Sequence, residues 1–367
     1  MFTPILTFLA VLSVLVLVHE LGHFIMAKRA KVWVEEFGFG LPPRIFGITI
    51  GETICSINWL PFGGFVRLHG EQREEGVTKP RRAFLNKNKR TRISIIVAGV
   101  VMNFLLAIVC FGLVYSFSGI PRETGVVRIV DVASGSPAQN AGLVVGDLIK
   151  KVDSKDVVKV GDFIDLVNLK KGKRAVLEIQ KAGGTSVKTT VSPRETPPAG
   201  EGPLGVTIST TEVYFPPVWQ RPFYGIYYGF KDALFWGQTV VMGFVSIFQN
   251  LFKGVAPKDI AGPVGIFAVT TEASKIGFLA LINFVGVLSV NLAVLNIIPF
   301  PALDGGRLLF ILIESVIGKK ILPKVEATAH SIGMIILLLL ILAVTANDIQ
   351  RLIAAGGITG FIDSIGK

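Results

Sequence analysis

Residues 2–29 read FTPILTFLAVLSVLVLVHELGHFIMAKR, and the first seventeen of them carry no charge. No basic segment precedes this apolar run and no small-residue cleavage site follows it, so it does not read as a signal peptide. A helix over about residues 4–27, rising about 1.5 Å per residue, is long enough to span a bilayer core. The run closes on Lys28-Arg29, and just before that basic end lies His19-Glu20-Leu21-Gly22-His23. Two histidines four residues apart project from one face of a helix and can hold a single metal ion, Zn2+ being the usual occupant. Glu20 stands next to the first histidine, where a carboxylate can act as general base towards a metal-bound water. Ionisable side chains inside a membrane helix are costly and functional by default. Three of them occur here within five positions.

The rest of the chain agrees with a membrane setting. Hydrophobic residues make up 51% of the sequence and charged residues only 17%, against about 25% charged in soluble domains. Three further apolar spans follow, at 93–117, about 277–298 and about 331–346, the second of these stopping at Pro299 and Pro301. Residues 122–212 are instead composed like an ordinary polar domain. The formal net charge of +11 fits basic residues gathered in cytoplasmic loops. No recognition motif accompanies it, and a nucleic-acid partner is not expected. Cys55 and Cys110 offer no disulfide framework.

Flanking charge sets the expected orientation. Lys28, Arg29, Lys31, Arg44, Arg67, Arg81, Arg82, Lys87, Lys89, Arg90 and Arg92 crowd the segment between spans one and two; Arg307, Lys319, Lys320 and Lys324 follow span three. Both segments are expected in the cytoplasm, with the N-terminus, residues 122–276 and the C-terminus outside. Residues 233–252 are apolar enough for a span but interrupted by Gln238, Gln249 and Asn250. A lone crossing there would separate the metal residues, so about 219–252 is expected as an amphipathic helix on the membrane surface.

A catalytic zinc commonly has three protein ligands and one open position. His69 falls in a loop and His330 at the edge of span four, where structural or solvated roles are expected. The better third ligand is Asp304, in Asn296-Ile-Ile-Pro-Phe-Pro-Ala-Leu-Asp304-Gly305-Gly306. Prolines there break span three at its cytoplasmic side, and broken helices at membrane depth occur where backbone lines a wet cavity. An unpartnered Asp would be costly in that place; on Zn2+ it is satisfied.

HELGH at 19–23, AGVVMNF at 98–104, NLAVLNIIPFPALDGG at 291–306 and the polar insert together resemble the site-2 proteases, specifically the bacterial regulator-of-sigma-E protease branch. The resemblance implies a polytopic α-helical membrane protein of four transmembrane helices, with a membrane-associated β-loop and one inserted PDZ-like α+β domain. It implies a multi-pass protein of the bacterial cytoplasmic membrane with its PDZ-like domain outside the cytoplasm. The implied activity is zinc-dependent cleavage of single-span membrane proteins, of anti-sigma factor or remnant signal peptide type, after an earlier outer cut. His19, His23 and Asp304 match the family's zinc ligands, Glu20 its catalytic glutamate, and Asn291 and Asn296 asparagines that contact substrate or support the site.

Residues 49–70 alternate and bend at Gly63-Gly64, like the family's β-loop. Adding a substrate as a strand beside Gly63, Gly64 and Phe65 would replace the hydrogen bonds that its helix gives up. Within 124–194, Ser136-Pro137-Ala138 and Gly146-Asp147 mark turns spaced as in a PDZ domain, which takes an extended peptide or C-terminus on a sheet edge or serves as a size filter. One such unit is visible, where the branch often has two. The expected domains are 1–120, 121–195 (PDZ-like), 196–275 (linker, including the Pro-rich 193–203 exit, and surface helices) and 276–367, with a reordered turn at 259–263. The competing readings are a non-catalytic scaffold binding peptides through its PDZ-like module, and a transporter, for which no inverted repeat is visible.

Overall fold

The computed structural model describes residues 2–71, 77–181, 183–198, 200–253, 261–319, 321–358 and 360–361. They form two compact units, Met1–Phe117 with Trp219–Lys367, and Ser118–Val218. In the first, α1 (Phe2–Arg29) carries HELGH and ends on the basic pair that favours a helix C-terminus. Two strands follow, β1 (Val34–Ile50) and β2 (Thr53–Leu68), then α2 (Lys89–Ser118). The strands begin well before residue 49, where the β-loop was expected. Pro42-Pro43 and the adjacent glycines give this part of the strand no sequence pattern of its own. Glu36 is buried, with Arg44 2.7 Å and Arg67 3.6 Å from its Oε2.

The register between β1 and β2 doubles back. Gly38 pairs with Phe65 and also with Ser56, and Gly47 pairs with Ser56. The segments therefore lie side by side in the order 44–50, 53–58, 36–39, 64–68, which leaves 64–68 at an edge among the described residues.

The second unit holds β3 (Ile120–Val132), α3 (Pro137–Asn140), β4 (Leu148–Val152), β5 (Lys155–Asp156), α4 (Val160–Asn168), β6 (Ala175–Gln180), β7 (Ser186–Val191) and β8 (Val206–Tyr214). Its sheet runs β7-β6-β4-β3-β8, with β5 paired to β4. The turn signals have visible jobs. The Ser136 hydroxyl accepts from the Gln139 amide to cap α3, and buried Asp147 accepts from the Val144 amide at 3.0 Å and from Lys181 Nζ at 2.8 Å. The expected boundary at 195 is corrected, because β8 completes the sheet against β3. The Pro-rich 193–203 stretch is a loop inside this unit, and Leu204 beyond it enters the core.

The chain re-enters the first unit through α5 (Arg221–Phe252), α6 (Pro263–Ile276), α7 (Phe278–Ile297), α8 (Asp304–Ile317) and α9 (Pro323–Ala354). Among the described residues, Pro4–Arg29, Lys89–Ser118, Phe278–Ile297 and Lys324–Ala354 are long and apolar enough to cross a membrane. Of the turn expected at 259–263, Asp259 and Ile260 lie outside the described residues. Gly262 and Gly265 donate backbone N–H groups to buried Asp348 of α9, both at 2.9 Å, fastening the start of α6.

The expectation of a surface-lying helix at 219–252 is refined by its packing. α5 runs antiparallel to α2: Ser116 Oγ donates to the Arg221 carbonyl, Tyr115 Oη donates to Asp232 at 2.7 Å, and Phe104 stacks edge-on against Phe230. Ala233 is buried in one cluster with Ala107, Phe111 and Val290. Phe223, Ile226, Phe230, Leu234 and Val241 face outward.

Candidate metal centre

The break between α7 and α8 builds one side of the site. Pro299 forces Ile298 into extended backbone, and the helix restarts at Asp304. The restart is tight: a β-carbon at Gly305 would stand 2.0 Å from the Ile298 carbonyl oxygen. Buried Arg92 at the start of α2 donates to Glu314 at 2.8 Å, which ties the far end of α8 to the bundle.

Asp304 Oδ2 lies 2.9 Å from His19 Nε2 and 3.1 Å from His23 Nε2, and the two Nε2 atoms are 3.1 Å apart. His23 Nδ1 donates to the Ile95 carbonyl at 2.8 Å, so its Nε2 presents a lone pair. His19 Nδ1 lies 3.3 Å from the side-chain nitrogen of fully buried Asn103. The amide's Oδ1 has no partner, and with the amide turned over it accepts the Nδ1 hydrogen of a metal-binding imidazole.

With each imidazole hydrogen on Nδ1, two bare nitrogens and a carboxylate oxygen meet here, and they would repel one another without a cation among them. Zinc bonds of about 2.0–2.1 Å on a tetrahedron put neighbouring ligand atoms about 3.3 Å apart. The observed spacings fit that geometry, and three corners leave a fourth open.

Glu20 faces a cavity of about 320 Å³ whose walls include His23, Phe65, Asp304, Arg307 and His330. Gly64 of the edge strand passes beside it; a β-carbon there would be 3.5 Å from Glu20 Cγ. At the cavity wall Arg307 of α8 donates to Glu71, which follows β2, and that carboxylate raises the Arg307 pKa and keeps the guanidinium charged.

The structure thus brings together His19, His23 and Asp304, and places Glu20, Gly64 and Phe65 around one cavity. Asn296 joins them, its amide nitrogen 3.5 Å from His19 Nε2. Asn291 does not; it donates to the Val287 carbonyl of its own helix at 3.0 Å, and Gly63 faces Leu41. His69 is structural, bonded to Glu35 and to the Lys79 amide. Sequence reasoning gave no individual role to Asn103, Gly99 or Arg307. The signal available for the first two was their spacing of four on α2, which puts both on one face.

Residues 7–340 match the family model described as Peptidase family M50. A protein of Clostridium perfringens, named provisionally as a zinc metalloprotease, is 37% identical over 341 residues, covering 92% of this chain and 96% of its own. Zinc metalloprotease RasP of Oceanobacillus iheyensis is 29% identical over 440 residues, covering 95% of this chain and 99% of its own. Among solved structures, the PDZ domain of an SdrC-like protein from Listeria monocytogenes matches 22% of this chain and 85% of that one, at 25% identity and a TM-score of 0.20.

Proposed function

The chain belongs to peptidase family M50, and we propose from that premise that it is an intramembrane zinc endopeptidase acting on single-span membrane proteins. The observation that carries this reading is the convergence of His19, His23 and Asp304 within 4.8 Å, the two histidines on a helix long and apolar enough to cross a membrane, with Glu20 on the adjoining cavity. When bound, Zn2+ polarises the scissile carbonyl and makes water acidic enough to be activated near neutral pH.

Glu20 takes the proton of the attacking water and returns it to the leaving amine. The edge segment 64–68 receives the substrate as an added strand, with Gly64 keeping the space beside Glu20 open and Phe65 forming the floor. Asn296 supports the site from α7, and Asn291 is freed for a substrate backbone once its bond to Val287 is exchanged. The PDZ-like unit, taken to be outside the cytoplasm, binds a peptide or C-terminus or screens substrates by size. Substrates of anti-sigma factor or remnant signal peptide type, already trimmed on the outer side, fit such an entrance.

Purified full-length protein in detergent tests this with a reporter single-span substrate. Glu20→Gln should keep about one zinc per chain and lose at least about a hundredfold in cleavage. Asp304→Asn should lose zinc as well as rate. Cleavage by Glu20→Gln at the wild-type rate would remove the base; unchanged zinc in Asp304→Asn would remove the third ligand.

A further inference from the structure

The loop that delivers Asp304 contains an alanine in backbone space that alanine avoids. Ala302 has φ +86°, while Asp304 begins α8 two residues later. A non-glycine residue held there persists only where its surroundings fix it. The surroundings are supplied by α9. The Ala302 N–H donates to His330 Nδ1 at 2.9 Å. One turn further along α9, Gly333 lies so close to Pro301 that a β-carbon would stand 2.4 Å from its carbonyl oxygen. Phe310 of α8 braces the imidazole from another side, ring centroids 5.8 Å apart. Because Nδ1 accepts, the ring's hydrogen sits on Nε2, which is buried without a partner. His330 is therefore held as an acceptor for one backbone amide.

We infer that His330 is a positioning residue for the metal centre: it holds Ala302 in its left-handed conformation and so fixes the place of Asp304. The inference rests on Asp304 being a zinc ligand. Without the acceptor, Ala302 relaxes towards ordinary backbone angles and the Asp304 carboxylate moves out of register with His19 and His23. Zinc sites tolerate ligand displacements of only about 0.2 Å. The effect passes through the backbone, so it should vanish where the backbone has no preference to overcome. Glycine at 302 meets that condition, since it adopts positive φ freely.

The test uses full-length protein in detergent, loaded with zinc and challenged with a competing chelator, with cleavage of the reporter substrate measured in parallel. His330→Phe keeps a ring of similar shape against Phe310 but cannot accept; it should release zinc about tenfold more readily, the lower end for outer-shell partners. His330→Asn loses the ring but keeps an acceptor near the Nδ1 position, and should retain zinc. Adding Ala302→Gly to His330→Phe should restore zinc retention and cleavage together, while Ala302→Gly alone changes neither.

Zinc held by His330→Phe as by wild type overturns the inference. So does the opposite ranking of Phe and Asn, which would make ring packing the cause, and so does a failure of Ala302→Gly to rescue. His19→Ala, run alongside, separates the two levels of reading. If it also keeps zinc, the metal assignment has failed; if it loses zinc while His330→Phe does not, only the role of His330 has.

Discussion

Gly99→Ala offers a demanding test of the metal centre, because a single methyl group lands on two ligands at once. A β-carbon on Gly99 would stand 2.5 Å from His23 Nε2 and 2.7 Å from the Cε1 atoms of both histidines. Ordinary contact for such atoms begins at about 3.5 Å, so the His23 ring has to retreat by about 1 Å. Two opposing terms decide the outcome. Alanine in place of glycine inside a helix gains about 1 kcal/mol of helix propensity. Overpacking of a tight site costs about 1–3 kcal/mol.

The first term is present with or without metal, whereas the second falls on the arrangement that holds zinc. We therefore expect apo Gly99→Ala to melt at or above the wild-type temperature. Its zinc affinity should fall about ten- to a hundredfold, since about 1.4 kcal/mol corresponds to a factor of ten. Chelator competition reads the affinity, and cleavage of the reporter substrate should fall with it at limiting zinc. Gly243→Ala, where a β-carbon meets nothing within 4 Å, controls for the generic helix effect. Unchanged zinc affinity in Gly99→Ala would refute the placement of α2 against the ligands.

Two further outcomes follow from the same geometry. Asn103→Leu removes the amide facing His19 Nδ1 and should weaken zinc about 10–100-fold by the same chelator assay; an unchanged affinity would show that His19 needs no such orientation. Arg307→Glu breaks the tie between the end of β2 and the first turn of α8, and should slow cleavage about ten- to a hundredfold with zinc content intact. Adding Glu71→Arg should restore much of the rate, and failure of that reversal would deny the pair a role in spacing the edge strand from Asp304.

The parts legible in the sequence were those where a residue type is costly in its setting. A histidine pair and a glutamate in an otherwise uncharged span, and an aspartate behind two prolines, each demanded an explanation, and the structure brings all four to one place. The opposite case was also informative. Glu36, one of two adjacent glutamates in Val-Trp-Val-Glu-Glu-Phe, carries no signal in the sequence and is buried, paired with Arg44 and Arg67. Its partners come from other strand segments, and no local pattern announces them. Prolines interrupt the pattern twice, at Pro42-Pro43 inside β1 and in the stretch before β8. In both places the chain continues its sheet on the far side of a break, which local propensity cannot reveal because the continuation depends on a partner distant in sequence.

α2 was hardest to read, for a physical reason. A helix that is apolar all round shows no stripe to say which face points at the site. Yet α2 supplies no candidate ligand and packs against two. The Ile95 carbonyl takes the His23 Nδ1 hydrogen, Asn103 faces His19, and Gly99 lies between them in sequence, four residues from each. Residues at that spacing share one helix face. The missing side chain at Gly99 is what opens the lane in which both imidazoles lie. A slip of α2 by one residue would turn that face away by about 100° and present a side chain, the methyl of Ala98 or the branched Val100, to the rings instead. In the proposed reading the two candidate ligands on α1 are therefore competent only while α2 keeps its rotation. The buried Arg92–Glu314 pair at its start and the Tyr115–Asp232 bond at its end are placed to hold that rotation.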